Sequence, residues 1–183
     1  MSELRFKREV LDAAAIGRTL DRMALEILER NAGVEGLALV GVHTGGVPLA
    51  HRLQARIARA SGAEIPVGMI DITLYRDDSF VGLPHPIVGE TDLPFDVTDR
   101  ALVLVDDVLY TGRTVRAALD DLIGFGRPRR IQLAVLVDRG RRELPIQADV
   151  VGLTVATSED ESVAVELTEL GASVDRVVLM ERA

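Results

Sequence analysis

Two adjacent carboxylates at the end of an apolar run are the first feature with chemical consequence. Val103, Leu104 and Val105 lead straight into Asp106 and Asp107, followed by Val108, Leu109, Tyr110, Thr111, Gly112, Arg113 and Thr114. An apolar run of this length reads as a buried strand. It delivers both carboxylates at its carboxyl edge, where open α/β sheets place their ligands. The next residues run into a helical pattern, and a helix N-terminus offers unpaired backbone N–H groups and the positive end of its dipole. Threonine hydroxyls, and a glycine that lets the backbone approach closely, complete a cradle for a phosphate monoester. The carboxylates would repel that phosphate unless something neutral or cationic lies between. Sugar hydroxyls, or a Mg²⁺ with its waters, fill the gap, so the pattern points to a 5-phosphorylated ribose. Taken alone, the acidic pair also reads as a solvated strand end or as a Mg²⁺ site for aspartyl phosphorylation. The second of these lacks a suitable downstream lysine.

The elements that must position these residues follow from hydrophobic period. Residues 11–31 predict a helix capped by Asp12, with Ile16, Leu20, Met23, Ile27 and Leu28 on one face and Gly33 ending it. Leu37–Val42 predicts a strand. His43-Thr44-Gly45-Gly46 predicts a loop, and Pro48 the first turn of a helix that turns Leu49, Leu53, Ile57 and Ala60 inward. Pro66–Leu74 predicts a strand, and residues 75–99 a flexible arm, since three prolines and many carboxylates break every period. Ala101–Val105 predicts a strand ending abruptly at the acidic pair. Thr114–Phe125 predicts a helix with Val115, Leu119, Leu122 and Ile123 on one face, and Ile131–Val137 a further strand. Strands alternating with helices from 37 to 138 imply a parallel α/β sheet. Residues 149–183 predict a small β-rich addition, a hood, with 162–167 and 174–180 as its strands.

Composition narrows the chemistry. The chain has 183 residues, a length that suits one domain, 1–183, with a single core. A net charge of −8 argues against coating nucleic acid non-specifically, because phosphate neutralisation needs a cationic field. With no cysteine there is no disulfide, thiolate nucleophile or Cys-ligated zinc. The single lysine, Lys7, excludes P-loop kinase chemistry and speaks against a Schiff-base enzyme. No apolar run is long enough to span a membrane, and the N-terminus lacks the apolar core of a signal peptide, so the expected location is cytoplasmic.

VLVDDVLYTGRT closely resembles the phosphoribosyl pyrophosphate signature of the type I phosphoribosyltransferases. The likeness extends through LALVGVHTGGVPLAHRL, VGMIDITLYRDD, GRPRRIQLAVLVDRGRRELP and ADVVGLTVATS, which resemble the PyrR family of pyrimidine operon regulators. That resemblance implies a type I phosphoribosyltransferase fold and two activities. One is transfer of phosphoribosyl from phosphoribosyl pyrophosphate to uracil, giving UMP and pyrophosphate with Mg²⁺. The other is transcription attenuation by UMP- or UTP-dependent binding to pyrimidine operon leader mRNA. It further implies a homodimer or higher homo-oligomer. A uracil enzyme without RNA binding, or a purine phosphoribosyltransferase, is the alternative.

By the same resemblance, Asp106 and Asp107 are the catalytic pair, holding the ribose hydroxyls and contacting Mg²⁺ through substrate or directly. Val108, Leu109, Tyr110, Thr111, Gly112, Arg113 and Thr114 wrap the 5-phosphate. Thr44 and Gly45 form the pyrophosphate loop, where a strained or cis peptide is expected. Arg139 lies beside the uracil and Val163 packs on it, while an arm carrying Tyr75, Arg76 and His85 closes over the site. The chain departs from the family at Gly45 and His85, where arginine is common. It also departs at Ser158-Glu159-Asp160-Glu161, where relatives often read Ser-Arg-Ser-Glu, and at Arg141, a histidine in relatives.

Plainer readings stand beside these. Thr44-Gly45-Gly46 is also an ordinary βα turn, Arg139 a surface partner of Asp138 or Glu143, and Val163 simple packing. His43 and His51 read as structural or surface residues. Arg127, Arg129, Arg130, Arg139, Arg141 and Arg142 form one dense basic cluster in sequence. It reads either as solubilising charge, favourable to a helix end, or as an RNA-facing patch. Aromatic residues make up only 3% of the chain, so any RNA recognition would rest on arginine, backbone and shape rather than widespread base stacking.

Overall fold

The structure is a computed structural model that describes residues 4–72 and 91–182. The strands are β1 (Leu4–Leu11), β2 (Leu37–Val42), β3 (Val67–Ile70), β4 (Ala101–Leu109), β5 (Arg130–Asp138), β6 (Val150–Thr154), β7 (Glu161–Glu166) and β8 (Arg176–Arg182). The helices are α1 (Ala13–Asn31), α2 (Gly46–Ser61) and α3 (Arg113–Gly124). The main sheet is parallel throughout, in the order β3-β2-β4-β5-β6.

Strand β2 and the Ala101–Val105 part of β4 carry no polar side chain, because both faces of the sheet are covered. Leu37, Leu39, Val103 and Val105 join the core made with α1 and α2, while Ala38, Val40, Leu102 and Leu104 join the one made with α3. Asp12 caps α1, its carboxylate accepting from Ala15 N at 2.7 Å, and Ile16, Leu20, Met23 and Ile27 are buried. Leu28 is half-buried, and the left-handed turn that ends α1 falls on Ala32 rather than Gly33. In α2, Leu49, Leu53 and Ile57 point inward but Ala60 is exposed. In α3, Ile123 is 61% exposed, past the last turn that the sheet covers.

Three expectations about strands are corrected. Strand β4 does not stop at the acidic pair. It continues to Leu109, because Asp106, Val108 and Leu109 still pair with β5. Strand β3 ends at Ile70. Residues 150–154 belong to the main sheet as its edge strand β6, so the hood is not a C-terminal piece alone. It is a three-stranded antiparallel sheet in the order β1-β8-β7, with the N-terminal strand on one side. Strand β1 escapes sequence reading because LRFKREVL is charged and mostly exposed, lacking the alternation of a half-buried strand.

The hood is tied to the helical layer by Arg52 of α2. Its Nε donates to Glu169 at 2.7 Å and its Nη1 to Asp175 at 2.6 Å. Of the expected arm, Asp92 forms a short antiparallel bridge with Met69 of β3. Tyr75, Arg76 and His85 lie outside the described residues. Among the described residues no helix is long and apolar enough to cross a membrane.

Candidate functional site

A cleft of about 550 Å³ opens at the carboxyl edge of the parallel sheet, lined by Asp106 through Val115 together with Arg139, Glu143 and Val163. Parallel strands β4 and β5 end side by side, which brings the acidic pair and Arg139 to one edge although about thirty residues separate them.

Asp106 is buried and Asp107 partly so. Their Oδ1 atoms are oriented by the backbone, accepting from Asp107 N at 3.0 Å and Val108 N at 2.8 Å. Gly112 then turns the chain with φ 93 and starts α3, a conformation that costs any residue with a Cβ. No side chain caps α3 and no acidic residue sits in its first turn. Its N–H groups therefore present positive potential to the cleft, suited to an anion. Thr111 accepts from Arg113 N through its hydroxyl and from Glu143 N and Leu144 N through its carbonyl. Arg113 Nε donates to Glu143 at 2.7 Å. Thr111 and Arg113 thus bind the 138–146 loop to the start of α3.

Thr44 and Gly45 do not line the cleft but abut it. The His43–Thr44 peptide is cis, in the loop where an unusual peptide was expected. A Cβ on Gly45 would overlap the Asp107 carboxylate. Bare backbone at residue 45 lets the 43–46 loop lie against the Asp107 side chain of β4.

Arg139 is not a surface ion-pair partner of Asp138 or Glu143. It is only 7% exposed. Its guanidinium lies 3.9 Å from the Tyr110 ring centroid, Nε donates to Thr157 Oγ1 at 3.1 Å, and Nη2 donates to the Glu161 carbonyl at 2.6 Å. Burial pulls its pKa below the ordinary arginine value. Val163 of β7 lines the same cleft. Glu143, Thr157 and Glu161 were missed as contributors. No short motif flags them, because they matter only through the folded position of the hood and the 138–146 loop.

The arginine cluster divides in space. Arg127, Arg129 and Arg130 stand at the start of β5, and Arg139, Arg141 and Arg142 beyond its end, about 25 Å away at strand rise. Arg142 is spent on its own loop, donating to Asp138, Ile146, Gly140 and Tyr110. Arg141 pairs with Glu159 at 2.5 Å. Arg127 and Arg129 are exposed, without a side-chain ion pair among the described residues.

An acidic strand end beside an uncapped helix start, at the carboxyl edge of a parallel sheet, suits a sugar phosphate. Residues 7–170 match the phosphoribosyl transferase domain family. The fold is similar to a hypoxanthine phosphoribosyltransferase of Staphylococcus aureus (TM-score 0.71, 20% identity, 94% of this chain and 92% of that one). It is also similar to a hypoxanthine-guanine phosphoribosyltransferase of Bacillus anthracis (TM-score 0.69, 17% identity, 97% and 99%). At such identities the likeness is one of fold. Sequence similarity reaches further. The chain is 60% identical over 179 residues to a bifunctional protein PyrR of Thermus thermophilus, covering 98% of each. It is 54% identical to that of Pelotomaculum thermopropionicum, again covering 98% of each. The chain belongs to the PyrR family of phosphoribosyltransferases.

Proposed function

We propose that this chain transfers phosphoribosyl from phosphoribosyl pyrophosphate to uracil, forming UMP and pyrophosphate, and that with UMP or UTP bound it attenuates transcription by binding pyrimidine operon leader mRNA in the cytoplasm. The observation that carries the enzymatic half is the meeting, in one cleft, of the acidic pair, the uncapped start of α3 and the buried guanidinium of Arg139. The sugar-phosphate lies along Asp106–Thr114, with ribose hydroxyls on the carboxylates and the 5-phosphate at the helix start. The base lies beside Arg139 and Val163. Thr44 and Gly45 face the pyrophosphate. His85, outside the described residues, belongs to the same proposed set.

In the reaction, the C1–oxygen bond to pyrophosphate breaks with its electron pair, and the uracil N1–C1 bond forms as N1 loses its proton. The protein's work is alignment and exclusion of water, since hydrolysis competes. No covalent nucleophile is required, which agrees with a chain without cysteine. Mg²⁺ fits the donor set as an ion that protein and substrate would share. Among the described residues no group of three metal-ligating side chains exists. Asp106 and Asp107 are the adjacent carboxylates at the strand end, and a Mg²⁺ held there would take its remaining ligands from substrate and water. Bound in that way, it would neutralise charge on the diphosphate.

The test supplies purified chain with Mg²⁺, phosphoribosyl pyrophosphate and uracil, hypoxanthine or guanine in parallel. UMP is the expected product. Nucleotide from the purines and none from uracil would overturn the base assignment. For the regulatory half, Arg127, Arg129 and Arg130 on one edge are the candidate RNA contacts, and Arg141 and Arg142 on the other would have to give up their bonds to Glu159 and Asp138 to join them. A gel shift on the chain's own operon leader should show UMP-dependent retention at moderate salt, and its absence would leave an enzyme only. A second copy of the chain is the expected protein partner, readable by sedimentation.

A further inference from the structure

The hydroxyl of Thr157 meets Arg139 twice. It accepts from Nε at 3.1 Å and reaches the Arg139 carbonyl at 3.3 Å, where it can donate. Glu161, at the start of β7, holds the same guanidinium through its backbone carbonyl at 2.6 Å. The turn between them is closed by the Glu161 side chain, one oxygen accepting from Ser158 N at 2.7 Å and the other from Lys7 of β1 at 2.8 Å. The acidic run at 158–161 is therefore in part a frame: Glu161 locks the turn, and Glu159 pairs with Arg141 across it.

We infer that Thr157 is a positioning residue for base recognition, fixing the side chain and backbone of Arg139 so that its uncommitted N–H groups face the cleft. The inference rests on the reading that the cleft takes a uracil base. Arg139 Nη1 has no protein partner among the described residues, and Arg139 lines the cleft. A guanidinium donates and cannot accept, so it matches a carbonyl edge and not an exocyclic amine. Held at Nε and Nη2 and stacked on Tyr110, it offers its remaining donors in one orientation. Without the Thr157 hydroxyl, one of two side-chain anchors is lost and the guanidinium can rotate away.

The test is calorimetric titration of UMP and of ribose 5-phosphate into wild type, Thr157→Val and Thr157→Ser. Thr157→Val keeps the branched shape at a half-buried position, and thermal melting checks that it is folded. Wild type should bind UMP more tightly than ribose 5-phosphate. Thr157→Val should weaken UMP roughly tenfold, the effect of losing one hydrogen bond to a charged group. Ribose 5-phosphate binding should stay unchanged, and Thr157→Ser should restore most of the loss. Equal UMP affinity in wild type and Thr157→Val, or equal weakening of both ligands, would overturn the positioning role while leaving the uracil reading intact. A wild type that binds UMP no better than ribose 5-phosphate would overturn that reading and this inference with it.

Discussion

The two ends of the cleft are built in opposite ways. The end proposed for the sugar-phosphate is one unbroken stretch, Asp106 to Val115, in which a strand, a glycine turn and a helix start follow one another. The end proposed for the base is gathered from Tyr110, Arg139, Thr157, Glu161 and Val163, with Lys7 of the N-terminal strand behind them. A phosphate can be held by backbone N–H groups that any correctly shaped loop supplies. A base edge needs side chains of specific donor pattern, and those must be held by their neighbours. One end is thus secure wherever β4 and α3 form. The other depends on the hood being docked, and so on strands from both ends of the fold.

Substitutions can pull the two ends apart. The largest expected effect is at the acidic pair. Asp107→Asn should lower kcat/KM on the order of 10²–10³-fold, the scale of losing a group that acts electrostatically in the transition state. Its thermal midpoint should stay within a few degrees, since Asn can still accept from Val108 N. Wild-type kinetics in this variant would remove Asp107 from the site. Next, Arg139→Met should raise the uracil KM roughly 10- to 100-fold, as expected for charge-assisted contacts, with the phosphoribosyl pyrophosphate KM within twofold. A parallel rise in both would mean that the ends are not separable.

Gly112→Ala probes the other end. At φ 93 the new Cβ is strained, and it meets Ile146 at 3.3 Å. The cost should be roughly 1–3 kcal/mol in denaturant unfolding, with the KM for phosphoribosyl pyrophosphate raised more than that for uracil. The smallest effect concerns the hood's anchor. Hydrogen bonds from Lys7, then from Ser158 N, hold the Glu161 carboxyl down to about 2 from an ordinary 4.5. A carboxyl depressed on folding stabilises the protein fully above its unfolded value and loses that contribution as pH falls toward the folded one. The gap in unfolding midpoint between wild type and Lys7→Met should therefore be full at pH 6 and shrink from about pH 4.5 toward pH 2. A gap independent of pH across that window would mean the ion pair does not set it.

The same contrast explains what could be read before the structure. The parallel sheet, its three helices and the strand–turn–helix that carries Asp106–Thr114 were legible because each is encoded over a short span by hydrophobic period, cap and glycine. Strand β1 was missed and β6 assigned to the hood, because pairing partners elsewhere in the chain decide both: β8 at the far end for β1, and β5 across an irregular loop for β6. Arg139 could be named as a base neighbour only through family resemblance. Nothing local says that it is buried, or that Thr157 and Glu161 hold it. Arginines close in sequence from 127 to 142 looked like one patch, and a nine-residue strand between them makes two.

The proposed nucleotide occupies one cleft, phosphate at the start of α3 and base beside Arg139. A crystal structure with UMP at saturating concentration tests it most directly. Phosphate oxygens should lie within hydrogen-bond reach of the Thr111–Thr114 amides, ribose hydroxyls on Asp106 and Asp107, and a uracil carbonyl facing Arg139. Nucleotide bound elsewhere on the chain, or a cleft without nucleotide at saturation, would contradict it.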